Sequence, residues 1–181
     1  MTGLIDATRT WELAEKRLAA ETDPRRHAVL TTLVAHMRAE HEGDLDGLMA
    51  TVSPRAVYHQ WGSSAVDRAP KSYDEVREFY RAVVENDCGR LAHDIDRLTV
   101  DQDTIATEGV LRIAYPGRIL AGMGREVADV DAFYLYETQM AIVWAFDEDA
   151  LVVCEDSYST GDGFADMRRL DPAEVPARKG A

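Results

Sequence analysis

Cysteine is scarce in this chain: 181 residues carry only Cys88 and Cys154. They form neither a CxxC pair nor a disulfide framework, so a reducing compartment is the simpler home and both read as buried or inert thiols. Basic side chains are also few. Twenty Lys and Arg against 33 Asp and Glu give a formal charge of -13 and a pI near 4.7. A surface of that sign repels nucleic acid and anionic lipid, which removes both as partners and favours neutral or cationic ligands unless arginines line a site locally. The N-terminus, Met-Thr-Gly-Leu-Ile-Asp, lacks a basic region followed by an apolar core, and no segment has the length of a bilayer span. A soluble cytoplasmic protein is expected.

Several chemical signatures are missing as well. His36 and His41 stand five residues apart without an HExxH pattern, so both rings cannot share one helical face as zinc ligands do. Residues 117–124 lack the GxGxxG spacing of a dinucleotide fingerprint, and neither a P-loop lysine motif nor a GxSxG elbow occurs. Asp101-Gln102-Asp103 and Asp147-Glu148-Asp149 are hairpin turns, since the rest of a calcium-ligand series is absent. No metal and no cofactor are expected.

What is present fits one domain with a real core, at 46% hydrophobic composition. Residues 8–21 read as a helix with a partial apolar stripe, ended by Thr22-Asp23-Pro24, which also opens the next helix. Over 25–42, Val29, Leu30, Leu33, Val34 and Met37 recur at helical spacing, and His36 and Glu40 continue that face. That helix therefore either ends its buried run early or presents two polar groups to a cavity. Asp44 caps a short helix, 56–61 has strand content, and Gly62-Ser63-Ser64 is a turn into a polar loop. Ser72 and Glu75 form a capping box for a helix running to about Asn86. The period then changes to two. Residues 91–100 and 104–115 make a hairpin, 118–130 a loop over a pocket mouth, 132–146 a long aromatic strand and 151–159 the last strand. The tail after Gly161 is expected to be loosely held. The order predicts an α+β fold, helices packed on one face of a curved antiparallel sheet, leaving a cone with a mouth where ligands bind.

Four stretches, AEHEGDLDGL at 39–48, AVYH at 56–59, DEVREFYR at 74–81 and AFDEDALV at 145–152, resemble in order and spacing the SnoaL-like branch of the nuclear transport factor 2-like superfamily. The resemblance implies a cone-shaped α+β barrel over 25–160, with 1–24 a helical extension and 161–181 a tail. It also implies one of many activities, among them isomerase, cyclase, epoxide hydrolase, dehydratase and cofactor-free lyase, or ligand binding without catalysis. On the ketosteroid isomerase pattern His36 falls at the tyrosine donor, Gln60 at the aspartate base and Ile142 at the neutral-aspartate donor. An amide cannot serve as that base nor isoleucine as that donor, which disfavours steroid isomerisation by that route. The dehydratase pattern places its strand histidine at His93, while its helix tyrosine and acid are here His36 and His41.

The reading that results is a cofactor-independent lyase, a dehydratase or carbon–carbon cleaving enzyme, acting on a small apolar, aromatic molecule. His93 moves the proton, Glu108 or Glu40 orients it, and Tyr58 with His36 holds the substrate oxygen. Arg112, on the same strand face as Glu108, anchors a phenolate; Gln60, His41, Tyr134, Tyr136 and Trp144 complete the binding surface. Each has a plain structural alternative: a core histidine at 36, a backbone-bonded one at 93, a Glu108–Arg112 ion pair, an aromatic stripe that is simply core. The alternative functions are a binding module for a hydrophobic ligand and a dimerising domain, with a homodimer or higher homo-oligomer expected through the sheet's exposed face, where His59 and Trp61 are placed.

Overall fold

The structure is a computed structural model that describes residues 3–62, 67 and 69–177. Its helices come first because the sequence supplies their stop and start signals. A 3-10 turn, Ala7–Thr10, leads into α1 (Glu12–Ala20), and α2 (Pro24–Glu42) starts where the Asp23 carboxylate accepts from the amides of Arg25 and Arg26. It ends at Gly43, whose φ of 69° is the left-handed conformation that glycine adopts without a Cβ penalty. In α3 (Leu45–Met49) the Asp44 side chain accepts from Gly47 N–H at 2.9 Å. In α4 (Tyr73–Glu85) Ser72 accepts from Glu75 N–H. The reciprocal half of that expected capping box goes elsewhere, since the Glu75 carboxylate accepts from Lys71 N–H at 2.7 Å.

Five strands form one mixed sheet in the order β1-β5-β4-β3-β2: β1 (Gln60–Trp61), β2 (Leu91–Val100), β3 (Thr104–Pro116), β4 (Phe133–Phe146) and β5 (Val152–Ser159). The last four make an antiparallel meander, while β1 pairs parallel with β5. The sheet is open, and the helices cover one face. Ile105, Ile142 and Trp144 on that inner face share a buried core with Leu30, Leu33 and Met37 of α2 and Val76 and Tyr80 of α4. Among the described residues, no helix is long and apolar enough to cross a membrane.

Four expectations are corrected. The strand expected over 56–61 is reduced to β1, because 56–59 touches β5 only through single bonds such as Val57 N–H to the Val153 carbonyl. Residues 118–130 are not wholly loop, since α5 (Gly117–Gly122) occupies the start. The single helix expected over 8–21 is broken at Trp11 into the 3-10 turn Ala7–Thr10 and α1, and its partial apolar stripe puts Trp11 and Ala14 in the main core. The tail is tied down as far as it is described: it runs beside β4, with Glu137 N–H donating to the Gly163 carbonyl, Leu135 N–H to Arg168 and Leu170 N–H to Phe133. Leu170 then joins Ile5, Ala92 and Ala114 in a second apolar cluster. Ser63 and Ser64 of the expected turn lie outside the described residues.

Candidate functional site

Strand register decides which expected residues meet. Trp144 is inner-facing and stands opposite Glu155, so Glu155 of β5 also points toward the helices. From α2 come His36 and Glu40, from α4 Tyr80, and from the extended segment before β1 Tyr58. His36 is fully buried; its Nδ1 lies 2.7 Å from Thr51 Oγ1 and its Nε2 3.0 Å from the Tyr80 hydroxyl. The Tyr80 hydroxyl lies 2.6 Å from Glu155 Oε2, which is itself 3.9 Å from His36 Nε2. The His36 ring packs edge-on against both Tyr80 and Trp144. A continuous polar chain thus crosses the core from α3 to β5.

Burial sets the charge state of this chain. It pushes His36 down to about 4 and Glu155 up to about 8, the latter also by repulsion from Glu40; Glu40 is itself raised by burial to about 7. An imidazolium–carboxylate pair at 3.9 Å would gain about 4 kcal/mol at an effective dielectric of ~20. Removing two ions from water costs several kcal/mol each, so the uncharged form prevails. Tyr58 completes the cluster. Its hydroxyl is buried without a hydrogen-bond partner, and its acidity is lowered first by burial and then by the charge of Glu155. An unpaired buried hydroxyl costs roughly 1–3 kcal/mol, a cost that a ligand oxygen would remove.

The structure therefore brings together His36, Glu40 and Tyr58 and adds Thr51, Tyr80 and Glu155, which sequence reasoning missed. The other expected residues lie elsewhere. His93 is on the inner face, since it pairs with Leu111, but its Nε2 is 3.3 Å from the Met140 carbonyl oxygen, the backbone-bonded arrangement. Glu108 is on the outer face, bonded to Arg97 at 2.5 Å, so it cannot orient His93. Arg112 shares that outer face and binds Glu137 at 2.5 Å; neither the expected Glu108–Arg112 pair nor a phenolate anchor in the cone is formed. Gln60 is exposed on the edge strand, and its backbone N–H donates to Asp67.

His41 stacks obliquely on Trp11 and lines a cleft with Glu40, Gly89, Arg90 and Pro176. Trp144 is core: its indole N–H donates to Thr107 Oγ1 at 3.2 Å. Tyr134 bonds to the backbone of Asp129, and Tyr136 packs against Tyr115 and Phe164. Where an open hollow was expected between α2 and the sheet, the buried side chains of Tyr58, Tyr80, Met37, Met140 and Trp144 fill the space. Among the described residues, no group of three or more His, Cys, Asp or Glu could hold a metal ion.

Comparison with solved structures gives the same architecture at low identity. Rv0760c from Mycobacterium tuberculosis is 16% identical, with a TM-score of 0.56 over 76% of this chain and 93% of that one. The Delta 5-3-ketosteroid isomerase from Mycobacterium sp. is 14% identical, with a TM-score of 0.56 over 79% of this chain and 98% of that one. An LEH-like epoxide hydrolase of M. tuberculosis is 14% identical, with a TM-score of 0.53 over 75% of this chain and 85% of that one. No curated protein matches the sequence. The model of the SnoaL-like domain matches residues 33–138, more than half of the chain and the stretch that carries most of α2, α3, α4 and the first two long strands. By that match, and with the cone-shaped α+β architecture to support it, the chain belongs to the SnoaL-like family.

Proposed function

We propose that this protein is a cofactor-independent enzyme, a lyase of the dehydratase or carbon–carbon cleaving kind, acting on a small, mostly apolar aromatic molecule. The observation that carries the reading is the Tyr58 hydroxyl, buried and unpaired beside two carboxyls, Glu40 and Glu155, that burial holds in the neutral range. Elimination needs a base to take a proton next to an activated oxygen and an acid to protonate what leaves. Tyr58 polarises the oxygen, and the two carboxyls supply base and acid; the cleft at Glu40 is the way in. Neighbours of the same fold support a small apolar partner: Rv0760c has been solved with estradiol-17beta-hemisuccinate, and a designed protein binds 17-OHP.

The test is a thermal-shift screen of aromatic and terpenoid molecules, followed by mass spectrometry of whatever binds. Tyr58→Phe and Glu40→Gln should keep the fold, and each should lower turnover about 100-fold. Wild-type rates in both variants would end this assignment. A second reading, a dimerising domain without chemistry, is favoured by the closely filled interior around Trp144; it predicts that the screen returns no ligand, and a monomer in gel filtration would count against it.

A further inference from the structure

The hydrogen bonds of the cluster decide which of its two carboxyls is held protonated. Thr51 Oγ1 lies 2.6 Å from the Leu48 carbonyl, which can only accept, so the single Thr51 proton is committed there. The Thr51 oxygen must therefore accept from His36, 2.7 Å away, which puts the imidazole proton on Nδ1. With His36 uncharged in its buried position, Nε2 is left as an acceptor. Its polar neighbour at hydrogen-bond distance is the Tyr80 hydroxyl at 3.0 Å, so the Tyr80 proton is committed to Nε2. The Tyr80 oxygen then needs a donor at 2.6 Å, and the atom there is Glu155 Oε2.

We infer that Thr51 is a positioning residue that, through His36 and Tyr80, fixes a proton on Glu155, making Glu155 the acid of the site and Glu40 its base. The groups facing Glu155 agree with this. Glu40 from α2 and Asp156 beside it on β5 repel a second negative charge; the Tyr80 hydrogen bond favours the ionised form but is outweighed by burial and by Glu40, and no cation stands among these groups. Glu40, which also lines the cleft, is then the carboxyl free to receive a proton from a ligand.

This assignment of roles rests on the lyase reading, but its test needs no turnover. In ligand-free protein, nitrogen-15 spectra of His36 should show one protonated nitrogen, Nδ1, and one bare nitrogen, Nε2. Infrared spectra between pH 7 and 8 should show a carboxylic acid band that is lost in Glu155→Gln and kept in Glu40→Gln. Thr51→Val should move the imidazole proton to Nε2, while Thr51→Ser should leave it on Nδ1. A doubly protonated His36, a band that follows Glu40 instead, or an unmoved proton in Thr51→Val would each overturn the inference. Failure of the ligand screen would remove the lyase reading and leave these spectra standing.

Discussion

A carboxyl that keeps its proton in the folded core makes stability depend on pH in an unusual direction. Unfolded, Glu40 and Glu155 release their protons near the ordinary 4.5; folded, they hold them to about 7 and about 8. The folded state therefore binds more protons across that window, and stability falls as pH rises through it. His36 acts oppositely between about 4 and 6.5, where the unfolded chain is the one that holds the extra proton. Above pH 6.5 only the carboxyls remain, and the slope should be on the order of 1 kcal/mol lost per pH unit up to about 8. Thermal unfolding of wild type against Glu155→Gln checks this: the wild-type melting temperature should drop from pH 6.5 to 8, and the variant's should drop less. A flat wild-type profile would mean that neither carboxyl is held neutral.

Between elements, one side chain does much of the joining. Arg25, in the first turn of α2, donates from Nε to the Gln102 carbonyl and to Asp103, and from its terminal nitrogens to Asp103 and to the carbonyls of Asp147 and Glu148. It ties the turns of both hairpins to the helix that carries His36. Arg25→Ala should cost about 1–3 kcal/mol, read as a lower denaturant midpoint, with Arg25→Lys recovering only part because an ammonium cannot span the same fork.

The hairpins themselves were legible in the sequence because alternation with period two survives in 91–100 and 104–115. The helices were legible through Asp23-Pro24, Asp44 and Ser72. Strand facing was not. In β3 the inner positions carry Thr107 and Gly109 while Val110 faces out, an inversion caused by neighbours: Thr107 accepts from the Trp144 indole, and a Cβ on residue 109 would lie 2.0 Å from the Asp94 carbonyl oxygen. Glu108 thus looked like an inner carboxylate and is an outer one. In β5 the run Cys154-Glu155-Asp156 has no apolar alternation to mark a face, so only the register against β4 shows that Glu155 points inward. Tyr80 was hidden within an apolar helical stripe, its hydroxyl role visible only once β5 lay opposite.

At the scale of the molecule, the tail is part of the sheet's construction. Residues 163–170 supply hydrogen-bond partners to the half of β4 that β5 does not reach, and Leu170 closes the outer cluster. Ending the chain after Thr160 should lower the melting temperature, with the loss of Leu170 burial alone worth about 2 kcal/mol. It should also promote association, because the β4 amides from Phe133 to Glu137 become an open strand edge. Light scattering during the melt distinguishes the two effects, and an unchanged melting temperature would show the tail to be dispensable.

The same wrapping brings the two ends of the described chain to one place. Gly3 lines a small pocket with Ala92, while the Pro176 carbonyl accepts from Arg90, two residues away on the same strand approach. Ile5 and Leu170 already share one apolar cluster there. The first described residues and the last ones thus close over the same end of β2, so a cut in the segment around exposed Met123, between α5 and β4, would leave His36, Tyr80 and Glu155 each on an unbroken element.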